Sequence, residues 1–169
     1  IWAFNYYDNN FWKVEADGSS TQVPTYFEYP DSLSFTADGM TVYVADSGSN
    51  RLYKMDPDGS NLVEFGFDFT WISDIEINDE GTVYIIDNGA QLIRKIDADS
   101  STLTTFAEDL LTSPSKMVIG PAGEMYVVDY SLGLVEISAD ESELHIIDAD
   151  YMGYQLEIDA AGSIYTVDY

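Results

Sequence analysis

A repeat of about 41 residues constrains this chain more than any other feature. Its clearest copy is Thr41–Gly59, TVYVADSGSNRLYKMDPDG. Ile1–Gly18 aligns with it without a gap, placing Trp2 on Tyr43, Asn5 on Asp46, Lys13 on Lys54 and Gly18 on Gly59. Thr82–Asp99 aligns next, with Asp87 on Asp46 and Lys95 on Lys54. Met125–Asp140 keeps Tyr126 and Asp129 but is one residue shorter in its turn, and Ile164–Tyr169 begins a fifth copy. The positions Asn5, Asp46, Asp87, Asp129 and Asp168 are spaced by 41, 41, 42 and 39 residues.

Each unit reads as four strands. Val42–Ala45 is almost unbroken in apolar residues, as expected of a strand covered on both faces. Short inner strands precede such runs at Leu33–Phe35, Ile75–Ile77, Met117–Ile119 and Leu156–Ile158. Third strands fall at Phe11–Val14, Leu52–Met55, Leu92–Ile96 and Leu134–Ile137, and outermost strands at Gln22–Phe27, Leu62–Phe67, Leu103–Phe106 and Leu144–Ile147. Asp58-Gly59 is a hairpin signal, and Phe106–Thr112 is the one stretch where a helical turn is expected. An all-β chain with this period is a β-propeller or a related array, because neighbouring four-stranded blades cover the second strand from both sides. The phase gives three complete blades, Leu33–Phe67, Ile75–Phe106 and Met117–Ile147, with three strands before them and two after. We therefore expect one domain over 1–169, with units 1–40, 41–81, 82–123, 124–163 and a partial 164–169.

Composition narrows the partners. The formal net charge is −25, from 31 Asp and Glu against 6 Lys and Arg. Phosphate backbones demand a basic surface and anionic membranes attract one, so nucleic acid and membrane partners are not expected. The charge suits a salt-rich or cation-rich setting outside the cytoplasm, at the cell surface or beyond it. Hydrophobic residues still make up 46%, which a folded core needs. Cysteine is absent, so neither disulfides nor thiolate metal sites are available. No apolar run reaches the length of a membrane-spanning helix, and no initiator Met or leader is visible, so these were removed or the sequence begins within a longer chain.

Over Tyr43-Val44-Ala45-Asp46, Asn50–Asp56 and the following Asp58-Gly59, the repeats resemble those of NHL-repeat propellers. YWTD propellers are similar over the same residues, but the Gly turn before each Tyr run favours NHL. The resemblance covers the whole chain and implies a propeller of four-stranded blades, here about four repeats in an arc of a ring. Propellers host unrelated activities, so it implies little about function. Gluconolactonase-like hydrolases are similar in fold and hold a divalent ion above the channel, using Glu, Asn and Asp at the inner-strand entrances. Here Asp31 and Asp74 stand at such places, no Asn does, and Lys116 would oppose a cation.

The residues themselves offer three candidate sites. The strand-end Asp46, Asp87, Asp129 and Asp168 could bind metal or could accept backbone N–H groups of the turns they open; Asn5 in the first place favours the second reading. The acidic turns suggest calcium, with Asp56, Asp58, Asp97 and Asp99 as candidate ligands, against plain hairpin turns with solvated acids. The lone His145 sits between Leu144 and Ile146 and reads as an edge-strand residue; no nucleophile or phosphate-loop motif is present.

The third candidate is one rim of the propeller. The inner-strand entrances and the turns after the Tyr runs gather there Tyr6, Tyr7, Tyr26, Tyr29, Phe69, Trp71, Tyr130, Tyr151 and Tyr154. As a ligand-binding rim, Tyr6, Tyr7, Tyr29, Trp71, Tyr130, Tyr151 and Tyr154 suit protein or glycan contacts; alternatively several fold inward to plug the channel. The reading is a non-enzymatic binding or assembly module. The competing reading is a divalent-metal-dependent lactonase or esterase with further ligands outside this sequence. Ile164–Val167 and Ile1–Asn5 occupy the same phase, so a lone four-blade ring would force them to compete for one place. Either the chain is part of a longer polypeptide, or its ends pair with another copy as a homo-oligomer.

Overall fold

The protein is described by a computed structural model over residues 2–5, 10–23, 27–64, 69–97 and 102–167. Five antiparallel sheets follow one another in chain order. The first has three strands, β1 (Trp2–Asn5), β2 (Asn10–Val14) and β3 (Ser20–Val23). The second contains β4 (Pro30–Phe35), β5 (Val42–Asp46), β6 (Arg51–Met55) and β7 (Val63–Glu64). The third contains β8 (Ile72–Ile77), β9 (Val83–Asp87), β10 (Leu92–Ile96) and β11 (Leu103–Phe106). The fourth contains β12 (Pro114–Ile119), β13 (Met125–Asp129), β14 (Gly133–Ile137) and β15 (Leu144–Asp148). The last has two strands, β16 (Gln155–Ile158) and β17 (Ile164–Val167). The phase expected from the repeat is the one observed. The inner strands β4, β8, β12 and β16 are successive neighbours, and the blades form an arc that does not close.

The second strands explain the stacking. In β5, Val42 and Val44 pack with Phe11, Val23 and Phe27 of the first blade, while Ala45 packs with Ile75 and Ile85 of the third. In β9, Ile85 faces back to that cluster, while Ile86 faces forward to Met117, Val127 and Val135 of the fourth blade. Alternate side chains thus reach opposite neighbours, which is why the run is apolar at every position. Each such burial stabilises the fold by roughly 1.5–3 kcal/mol. Edge-on aromatic pairs, Phe11 with Phe27 and Tyr84 with Phe106, fill the outer parts of two interfaces.

Three local expectations need correction. The inner strands β4, β8 and β12 begin three residues earlier than the apolar pattern suggested. Each carries a register shift just after its first residue, so one extra residue is absorbed before regular pairing resumes. Pro30 and Pro114 are tolerated as first strand residues. Second, 107–110 forms a turn, closed by Leu110 N–H donating to the Ala107 carbonyl, rather than a helix. The described helical element is a 3-10 turn at Asn88–Ala90, capped by the Asp87 side chain. Third, β7 is only two residues long within Leu62–Phe67, of which 65–67 lie outside the described residues. His145 lies on the outermost strand β15, paired with Glu136, as read from the sequence.

Candidate functional site

The site begins with the aspartates that end the second strands. Asp46, Asp87 and Asp129 are buried. Asp46 accepts the N–H groups of Glu28 and Tyr29 at 2.9 and 2.7 Å, and that of Gly48 at 3.1 Å. Asp87 accepts those of Thr70 and Trp71, both at 3.1 Å. Asp129 accepts those of Thr112, Ser113, Ser131 and Leu132 and the Thr112 hydroxyl. Burial pushes the Asp129 carboxyl up, but the hydrogen bonds from Ser113, Thr112 and Ser131 outweigh it and hold it below its ordinary value. These side chains therefore accept backbone N–H groups of the turns they open. They also tie down the loop that leads into the inner strand of the same blade, a partner 16–18 residues back that sequence pattern did not show. Asp168 and the side chain of Asn5 lie outside the described residues.

This clamp presents the aromatics. Tyr29 and Trp71 stand immediately before β4 and β8, with their N–H groups on Asp46 and Asp87. The turns press closely on these loops: a Cβ at Gly48 would lie 2.5 Å from Glu28 Cβ, so only glycine fits. Tyr130 N–H donates to the Ser113 carbonyl and Tyr154 N–H to that of Val167. Tyr29, Trp71, Tyr130 and Tyr154 are 50%, 55%, 43% and 51% exposed, respectively. Phe69 is buried with Ala45 and Leu52, and Tyr151 is half-buried against Val118, Val128 and Leu156. Four of the rim aromatics therefore face out, and two pack between blades rather than into the channel. Tyr6, Tyr7 and Tyr26 lie outside the described residues.

Below the rim, the inner strands line a cavity of about 300 Å³ bordered by Asp31, Asp74, Glu76, Lys116, Gln155 and Glu157. Lys116 Nζ lies 3.3 Å from Asp74 Oδ1 and 3.3 Å from the Ser73 carbonyl, while Met117 N–H donates to Asp74 Oδ2 at 2.9 Å. Across the other neighbour, the Ser34 hydroxyl reaches Glu76 at 3.5 Å. Burial first, then the charges of Asp74 and Glu157, push the Glu76 carboxyl from 4.5 up to about 8.

That shift carries a pH dependence of stability. The raised folded-state value means that folded Glu76 keeps its proton where the unfolded chain has lost it. Its contribution is fully present below the unfolded value of 4.5 and is lost as pH rises through about 8. The slope in that window is at most about 1.4 kcal/mol per pH unit. Glu76→Gln should therefore gain on the unaltered protein between about pH 5 and about pH 8 and level off above. Urea midpoints measured in parallel check this, and a difference constant with pH would contradict it.

The acidic turns lie on the opposite rim. Asp56 accepts the Ser60 hydroxyl and the Asn61 amide, and Asp58 accepts the Ser60 N–H, so both brace one turn. Asp97 follows β10 in the next blade, and Asp99 lies outside the described residues. Among the described residues, no group of three or more His, Asp or Glu side chains is gathered to hold a metal. No helix among them is long and apolar enough to cross a membrane.

No protein-family model and no curated protein matches the chain. Solved propeller-type structures do. A chain of a nidogen–laminin complex superposes with a TM-score of 0.81 at 17% identity, covering 94% of this chain and 66% of that one. Hydrazine synthase of Kuenenia stuttgartiensis gives 0.74 at 19%, covering 93% and 49%. Virginiamycin B lyase of Staphylococcus aureus gives 0.60 at 14%, covering 83% and 56%. The chain spans about half to two thirds of the length of these structures. They include a component of a protein complex and an enzyme, so the likeness speaks to architecture alone. The fold of this chain is that of a β-propeller.

Proposed function

We propose that this chain is a non-enzymatic binding and assembly module of an NHL-like propeller, working outside the cytoplasm, whose aromatic rim contacts a protein or a glycan. The observation that carries the reading is the placement of Tyr29, Trp71, Tyr130 and Tyr154 on one rim, all about half exposed. Their backbones are held by hydrogen bonds, so large amphipathic rings are presented at little entropic cost. A propeller in a protein complex among the similar structures is consistent with a protein partner. The net charge of −25 favours a partner with basic surface. Self-association through the exposed strand β17 is a further part of the proposal. The hydrolase reading draws no comparable support, because the Asp74 carboxylate that it would use is engaged by Lys116.

The test uses Trp71 as reporter, with Trp2 and Trp12 replaced by Phe. Soluble neutral and amino-sugar oligosaccharides and Lys- and Arg-rich peptides serve as probes. A binding probe should shift Trp71 emission, and in calorimetry, which needs no tryptophan, Trp71→Ala should weaken binding at least about tenfold, as loss of a central aromatic anchor does. Binding that is indifferent to Trp71→Ala and Tyr29→Ala together would remove the rim from the account.

A further inference from the structure

We infer that Lys116 is a tethered counter-ion that takes the place of a divalent cation at the channel mouth. Ile75 and Met117 pair with Ile85 and Val127 at the same register of successive blades, so Asp74 and Lys116, just before them, form part of one tier around the channel. Ser32 and Gln155 complete that tier on β4 and β16. Asp31, Asp74, Glu76 and Glu157 all border the cavity, and Lys116 is the cation that borders it. Four carboxyl groups make this space attractive to cations, although they are not gathered as a set to hold a metal. Here an ammonium bridges two blades instead, facing the Asp74 carboxylate and the Ser73 carbonyl, the oxygens a hard cation would use.

The residues present do not fit a divalent ion. Asp74 is occupied on both oxygens, by Lys116 and by Met117 N–H. Val118, on β12, is packed with Val128 and Leu156 and supplies no oxygen. Recognition at this face then proceeds without a metal, whatever the rim binds.

The experiment titrates CaCl2 and MnCl2 into the full 169-residue chain by calorimetry, at constant ionic strength. Lys116→Met should gain a saturable component that the unaltered protein lacks, and Asp74→Asn in the same chain should remove it. Lys116→Arg keeps the charge and should gain none. Lys116→Gln, which retains a donor toward Asp74, provides the same comparison if the Met variant loses its β signal in circular dichroism. Divalent binding by the unaltered protein that disappears with Asp74→Asn would overturn the inference. So would a folded Lys116→Met or Lys116→Gln variant that gains no binding.

Discussion

Asp129→Ala should destabilise the protein by about 3–5 kcal/mol. The carboxylate is buried and serves four backbone N–H groups and one hydroxyl. Truncation leaves those donors without an acceptor where water has little access, and each buried unmet donor costs about 1–3 kcal/mol before relaxation. Asp129→Asn keeps one acceptor oxygen and should lose less. Asp58→Ala, which gives up exposed turn contacts to Ser60, should lose much less than Asp129→Ala. Urea unfolding of the three variants gives the comparison directly. An Asp129→Ala loss no larger than that of Asp58→Ala would contradict the role assigned to the strand-end carboxylates.

The second large effect concerns β17. Its counterparts β5, β9 and β13 are buried at nearly every position, whereas Tyr165 and Val167 of β17 are 59% and 62% exposed. Among the described residues β17 pairs only with β16, so its other edge offers unpaired backbone groups beside apolar side chains. The 169-residue chain in isolation should therefore associate, with a mass that rises with concentration. The excess of 25 negative charges opposes this, so added NaCl should strengthen association by screening. Tyr165→Lys with Val167→Lys should return the chain to a single-copy mass in sedimentation velocity. A monomer at every concentration and salt level would show that the edge is inert.

The architecture was legible because a propeller repeats its second strand. Tyr43, Tyr84 and Tyr126 recur with the aspartate three residues on, and the apolar run between them is forced by neighbours on both sides. The inner strands were less legible. Apart from Ile72, the first three residues of β4, β8 and β12 are Pro, polar or charged, and the bulge that seats them leaves no pattern of period two. Asp46, Asp87 and Asp129 are legible in the sequence as turn acceptors, but their further partners lie across the blade, fixed for Asp46 only once β4 and β5 pair.

The channel contacts did leave a signal. Ser34 meets Glu76 and Asp74 meets Lys116, each pair 42 positions apart, which is one repeat. Equivalent positions of consecutive repeats are lateral neighbours, so opposite charges one period apart mark an inter-blade pair. The division of the rim was not legible, because Phe69 and Trp71 differ in exposure only through which one meets Ala45 and Leu52.

The central claim is that the aromatic rim is the recognition face and the acidic turns are not. Hydrogen–deuterium exchange locates the face directly, using whichever oligosaccharide or basic peptide binds most tightly in the Trp71 assay. The account predicts added protection in peptides containing Tyr29, Trp71, Tyr130 and Tyr154, with none over the turns at 36–41, 56–60, 120–124 and 138–143. Protection confined to those turns, with the four aromatic peptides unchanged, would contradict it.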